Sequence, residues 1–123
     1  MVNRPLIIVV DDDQSIRESL PDLLKEFGFD AQTFSSAEEF LASGLVDETK
    51  CLLLDVAMPG MTGPDLQREL TRRDQSIPIV FITAHRDALV RPRLIAGGAV
   101  DCLFKPFEPN DLLQALNTAL RGS

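Results

Sequence analysis

Four short apolar runs in this chain each stop at a polar residue of definite chemistry. Leu6 to Val10 (LIIVV) stops at Asp11, Asp12 and Asp13, and Cys51 to Leu54 (CLLL) stops at Asp55. Ile79 to Ile82 (IVFI) stops at Thr83, and Cys102-Leu103-Phe104 stops at Lys105. Amphipathic segments separate the runs, so strand and helix patterns alternate as in βα repetition. Ser15-x-x-Glu18 predicts a capping box for a first helix with Ile16, Leu20, Leu23, Leu24 and Phe27 inward and Gly28 at its end. Ala31 to Phe34 reads as a second strand, and Ser36-x-x-Glu39 opens a helix carrying Phe40 and Leu41 that Gly44 closes. After Asp55 comes a turn-rich loop, Met58 to Gly63; Thr62, Pro64 and Asp65 then suit the start of a helix holding Leu66 and Leu70. Pro109, Asn110 and Asp111 begin a last helix with Leu112, Leu113, Leu116 and Leu120 inward.

The pattern predicts one α/β domain over residues 1–123, a doubly wound five-stranded parallel sheet with helices on both faces. Two prolines interrupt the regularity. Pro21 falls inside the first helix, where a missing N–H and a clash with the preceding turn predict a kink. Arg91-Pro92-Arg93 predicts a fourth helix that starts late, with Asp87 to Val90 as loop.

In an open parallel sheet, ligands bind in the crevice beyond the carboxyl ends of the strands. If the four runs are strands of one such sheet, Asp11, Asp12, Asp55, Thr83 and Lys105 meet there. Capping a helix needs one carboxylate, a role that suits Asp13. Clustering several raises their mutual repulsion, which a hard cation such as Mg²⁺ relieves. A carboxylate can take a phosphoryl group, and the transfer needs mainly positioning and countercharge. Asp55 is the candidate acceptor, with Thr83 and Lys105 as donors to phosphoryl oxygens.

Composition narrows the classes. A net charge of -7 argues against direct nucleic-acid binding, which wants a basic face. The apolar runs are too short to span a bilayer and no signal peptide opens the chain, so a cytoplasmic location is expected. Cys51 and Cys102 fall in expected strands and read as small buried hydrophobes in a reducing compartment rather than a disulfide. There is neither a G-x-x-x-x-G-K-[ST] loop nor a G-x-G-x-x-G turn for a nucleotide. A phosphatase of the haloacid dehalogenase kind would need a second acid two residues after Asp55, where Ala57 stands.

Val9-Val10-Asp11-Asp12-Asp13, Leu54-Asp55-Val56-x-Met58-Pro59-Gly60-Met61-x-Gly63, Ile82-Thr83-Ala84 and Lys105-Pro106-Phe107 resemble the motifs of bacterial response-regulator receiver domains. The match runs from about Pro5 to Leu120, and Ser36-Ala37-Glu38 and Ala99-Val100-Asp101 are similar to the FixJ-like branch. The resemblance implies a flavodoxin-like sheet of strand order 2-1-3-4-5. It implies Asp55 as phosphoacceptor, and Asp11, Asp12, Asp55 and the backbone carbonyl of Ala57 as Mg²⁺ ligands. Thr83 and Lys105 become the phosphate-contacting hydroxyl and amine, with a cis Lys105-Pro106 bond aiming the lysine. It further implies a sensor histidine kinase as phosphoryl donor, phosphorylation-dependent homodimerisation, and a C-terminal helix-turn-helix output domain for transcription regulation outside this chain. Such a chain catalyses only its own phosphorylation and dephosphorylation.

Several positions depart from the family pattern. Cys102 stands at the switch position, three residues before the lysine, where relatives carry Phe or Tyr, and Phe104 is expected on the other face of its strand. Ala57 and His85 occupy the two variable positions beside the acyl phosphate, and His85 follows Ala84 on the loop after Thr83. With Cys102 and Pro92 in place, the alternative is a degenerate receiver acting as a constitutive protein-interaction module.

Overall fold

The computed structural model describes residues 4–121; the two ends of the domain expected over 1–123 lie outside the described residues. Five strands and five helices alternate: β1 Leu6–Val10, α1 Gln14–Glu26, β2 Asp30–Phe34, α2 Ala37–Ala42, β3 Cys51–Asp55, α3 Gly63–Arg72, β4 Ile79–Thr83, α4 Val90–Ala96, β5 Asp101–Phe104 and α5 Pro109–Arg121. A 3₁₀ turn at Val46–Glu48, which no sequence signal announces, joins α2 to β3. All strands are parallel in the order β2-β1-β3-β4-β5.

The strands read as continuous apolar runs because both faces of the sheet are covered. Their residues alternate between two cores. Ile7, Val9, Leu53, Val80, Ile82 and Leu103 join Leu20 and Leu24 of α1 and Leu112 and Leu116 of α5 on one side. Ile8, Val10, Leu52, Leu54, Phe81 and Cys102 join Phe40 of α2, Leu66 and Leu70 of α3 and Leu94 of α4 on the other. Each fully buried Leu or Ile contributes about 1.5–3 kcal/mol. β2, at the sheet's edge, has no fully buried residue.

Several local expectations need correction. The capping role expected of Asp13 is met, its carboxylate accepting from Ser15 N at 2.9 Å and Ser15 Oγ at 2.7 Å, whereas the Ser15–Glu18 box does not form. Glu18 bonds Gln14 Nε2 instead of closing a capping box with Ser15. Asp13 wins because it precedes the first helical residue and brings a negative charge to the dipole's positive end. In α2, Ser36 Oγ accepts from Glu39 N as expected, but Glu39 reaches back to Ser35. The full reciprocal box is made in α3, between Thr62 and Asp65.

The prolines act differently from one another. α1 runs through Pro21 from Gln14 to Glu26 without a break. α4 starts late, at Val90, the residue at which the loop was expected to end, so Pro92 lies in its first turn. There the N–H that proline lacks would have no intrahelical acceptor anyway. Phe104 also departs from expectation. It packs with Cys102 against the same core, because residues two apart on a strand share a face, while Leu103 between them turns the other way.

Candidate functional site

Strand order reverses between β1 and β3, and the crevice at that point is where open α/β sheets bind ligands. Asp11 follows β1, Asp55 ends β3, Thr83 ends β4 and Lys105 follows β5. The ladder continues past the strand ends and fixes these residues. Asp11 N donates to Phe34 O at 3.1 Å, Val56 N to Ile82 O at 3.2 Å, and Lys105 N to Thr83 O at 2.8 Å. Helix α3 presses on the same floor. A Cβ at Gly63 would lie 2.4 Å from the Asp55 carbonyl oxygen, so only glycine allows that approach.

Side chains from Asp11, Asp12 and Asp55 bring one carboxylate oxygen each to within 4.8 Å of one another. Asp11 and Asp55 are buried, Asp12 is exposed, and Thr83 is buried at the rim of β4. Lys105 Nζ lies 2.8 Å from Asp11 Oδ2. The two form an ion pair inside the crevice. Asp11 Oδ1 accepts from Asp13 N at 2.9 Å.

The electrostatics show a shortage of positive charge. Burial, and then the Asp11 carboxylate, push the Asp55 carboxyl up to about 7 despite the opposing Lys105. Burial works against the Lys105 ammonium, yet Asp11, Asp55 and Asp13 together hold its pKa above the usual value. One half-buried lysine does not neutralise this cluster. Three carboxylate oxygens in mutual reach, with a single ammonium against them, form a donor set that fits a hard divalent cation.

The Thr83 hydroxyl accepts from His85 N at 3.1 Å, which leaves its own proton to donate. Ala57, Ala84, His85 and Pro106 are all exposed around the crevice, and the Lys105-Pro106 peptide is cis. Cys102 lies away from the carboxylates, in the wall of a cavity of about 460 Å³ with Arg86, Arg91, Phe104 and Phe107. Both cysteines are buried and free, and burial raises both thiols, Cys51 to about 12.

Two contacts near the site are absent from the sequence reading. Arg86 lies over the Phe104 ring, 5.6 Å from its centroid. Arg17 Nη1 donates to the Asp11 carbonyl at 2.8 Å. A signal for Arg17 does exist: it sits on the same stripe of α1 as the buried Leu20 and Leu24, where an apolar residue is the norm.

A family model described as the response regulator receiver domain matches residues 7–117. Nodulation protein W of Bradyrhizobium diazoefficiens is 46% identical over 116 residues, covering 94% of this chain and 51% of its own length. The solved structure of response regulator StyR superposes with a TM-score of 0.88 at 45% identity, covering 97% of this chain and 60% of that one. FixJ-N superposes with a TM-score of 0.86 at 32% identity, covering 99% and 98% respectively. The chain thus spans about half the length of the curated relatives it matches.

Proposed function

This chain belongs to the response regulator receiver domain family, the phosphoacceptor modules of two-component signalling, and from that membership we propose that it takes a phosphoryl group onto Asp55 in a cation-dependent transfer from a sensor histidine kinase. The observation that carries the reading is the convergence of Asp11, Asp12 and Asp55 within 4.8 Å, with Lys105 against Asp11.

An Asp55 carboxylate oxygen attacks the phosphorus of a phosphohistidine. The P–O bond forms as the P–N bond breaks, and the imidazole leaves with the electron pair and takes a proton from water. Transfer spreads charge over the equatorial oxygens, so the protein's task is positioning and countercharge. Lys105 Nζ releases Asp11 Oδ2 and pairs with one phosphoryl oxygen, while the Thr83 hydroxyl donates to another. A Mg²⁺ held by Asp11, Asp12, Asp55 and the Ala57 carbonyl would supply further countercharge. In the reverse discharge, water attacks phosphorus, the acyl P–O bond breaks, and inorganic phosphate leaves the free Asp55 carboxylate. His85 stands beside that route on the exposed loop after Thr83.

Phosphorylation then shifts the balance between two conformations. The proposed readout surface comprises α4, β5 and α5, where Leu89 and Ile95 are large exposed hydrophobes and Cys102 replaces the usual ring. Homodimerisation through that surface and control of a C-terminal helix-turn-helix domain are further parts of the proposal, as is a cytoplasmic location. Among the described residues no helix is long and apolar enough to cross a membrane.

Intact mass after incubation with acetyl phosphate and Mg²⁺ tests the reading, beside Asp55→Ala and a chelator control. One added phosphoryl group that requires both Asp55 and the metal is expected. No adduct, together with failure to bind fluoroberyllate, would refute it and favour a constitutive interaction module. Solution mass with and without fluoroberyllate tests dimerisation; a monomer in both conditions would end that part.

A further inference from the structure

We infer that Arg17 is a positioning residue for the acidic crevice: by gripping the Asp11 carbonyl it sets the peptide between Asp11 and Asp12, and through it the direction of the Asp12 carboxylate. The inference rests on the reading above, that Asp11, Asp12 and Asp55 hold a divalent cation.

Arg17 occupies an unusual place for a guanidinium. It lies three residues before Leu20 and seven before Leu24, both buried, and is itself half-buried. A charge drawn out of water is normally compensated by an opposite charge. None of the ion pairs among the described residues involves Arg17. Its charge acts on Glu39 only at longer range, where Ser35 is the main influence on that carboxyl. The directed bond of Arg17 is the one from Nη1 to the Asp11 carbonyl, at 2.8 Å.

That carbonyl is where the β1 ladder runs out. Asp11 N still donates to Phe34 O, but among the described backbone bonds no N–H donates to Asp11 O. Since Asp11 is fully buried, the oxygen would be an unsatisfied acceptor without Arg17. Three bonds therefore define the turn into α1: Asp11 N to Phe34 O, Arg17 Nη1 to Asp11 O, and Asp13 N to Asp11 Oδ1. Asp12 is exposed; its carboxylate meets the Asp55 carboxyl, and no backbone or cationic group grips it among the described contacts. Two carboxylates facing each other repel once both are ionised, so what aims Asp12 at Asp55 is the peptide that Arg17 holds.

Positioning and bare charge predict opposite signs. Removing a cation from the backbone next to an acidic cluster, by electrostatics alone, tightens the binding of a divalent ion. Loss of a group that orients a ligand loosens it, typically by 10–100-fold for direct outer-shell partners. Arg17 acts one peptide away from the ligand, so the lower end, about tenfold, is expected.

The test is calorimetric titration of Mg²⁺ into the wild-type chain, Arg17→Met, Arg17→Gln and Arg17→Lys, well below each melting temperature. Calorimetry suits a chain with no Trp or Tyr to report the ion by fluorescence. Arg17→Met and Arg17→Gln, whose side chains offer no donor or cannot reach the carbonyl, should each bind about tenfold more weakly. Arg17→Lys, which keeps a long cationic donor, should stay within about threefold of wild type. Two truncations keep the test decisive if one of them fails to fold. Unchanged or tighter binding in the truncations overturns the role of Arg17, as does an Arg17→Lys variant as weak as they are. A wild-type chain that binds no Mg²⁺ overturns the metal reading itself, and this inference with it.

Discussion

Replacing Asp55 by Asn should stabilise the metal-free protein, and should do so only above acid pH. Folding raises the Asp55 carboxyl from 3.8 to about 7, through burial first and the Asp11 charge second. A shift of about three units, at about 1.36 kcal/mol each, sets an upper limit near 4 kcal/mol on the cost of ionising Asp55 in the fold. Water reaching the crevice beside exposed Asp12 screens part of this, and about 2 kcal/mol is a reasonable working figure.

The sign follows from proton binding. Below about pH 3.8 the carboxyl is protonated in both states and costs nothing. Between there and about 7 the unfolded chain has lost the proton that the folded chain keeps, so stability falls as pH rises. Above about 7 both states are ionised and the full penalty stands. Asn carries no charge and escapes it. For a domain of this size about 2 kcal/mol corresponds to a melting temperature roughly 6–10 °C higher. The assay is thermal unfolding by circular dichroism with chelator, for wild type and Asp55→Asn, at pH 4 and pH 8. The gap should be near zero at pH 4 and full at pH 8. Saturating Mg²⁺ should then narrow it, because wild type offers one more anionic ligand. A variant no more stable than wild type at pH 8 would refute the reasoning. So would an equal gap at both pH values, which would mean packing rather than charge.

Lys105→Met should bind Mg²⁺ several-fold more tightly, since it frees Asp11 Oδ2 from the ammonium 2.8 Å away; calorimetry showing weaker binding would contradict the competition between lysine and metal. Its phosphorylation by acetyl phosphate should nonetheless slow, because a countercharge for the phosphoryl group is gone. Gly63→Ala should destabilise the fold by about 1–3 kcal/mol, because its methyl would meet the Asp55 carbonyl at 2.4 Å; a denaturant midpoint equal to wild type would refute that close approach. His85→Ala should shorten the life of the phosphorylated form by opening the route to water, and an unchanged decay of the phosphorylated mass would remove His85 from that role.

The apolar runs and the residues that end them are legible without a structure. A strand buried on both faces must be apolar throughout, so its end shows as the first polar residue: Asp11, Asp55, Thr83 and Lys105. Helix limits are legible where the cap chemistry is local, as at Ser36 and Thr62, and so is the late start of α4 that Pro92 signals. Strand order is not written in the pattern; it entered through resemblance to a family and is met by the observed β2-β1-β3-β4-β5 order. Where two local signals compete, the pattern is ambiguous: it offers both Asp13 as a cap and a Ser15–Glu18 box, and the chain leaving β1 keeps the first and not the second.

Tertiary structure decided the rest, because these contacts join residues that local periodicity cannot relate. The pairing of Lys105 with Asp11 requires β1 and β5 to deliver both side chains to one crevice, with β3 and β4 lying between them. The raised pKa of Asp55 arises from burial beside Asp11, a property of the assembled site and not of either residue. Arg17 shows the division most clearly. Its place on the inward stripe of α1 is visible in the sequence, but the acceptor it finds there, the carbonyl left over where the β1 ladder ends, exists only once helix and sheet are packed together.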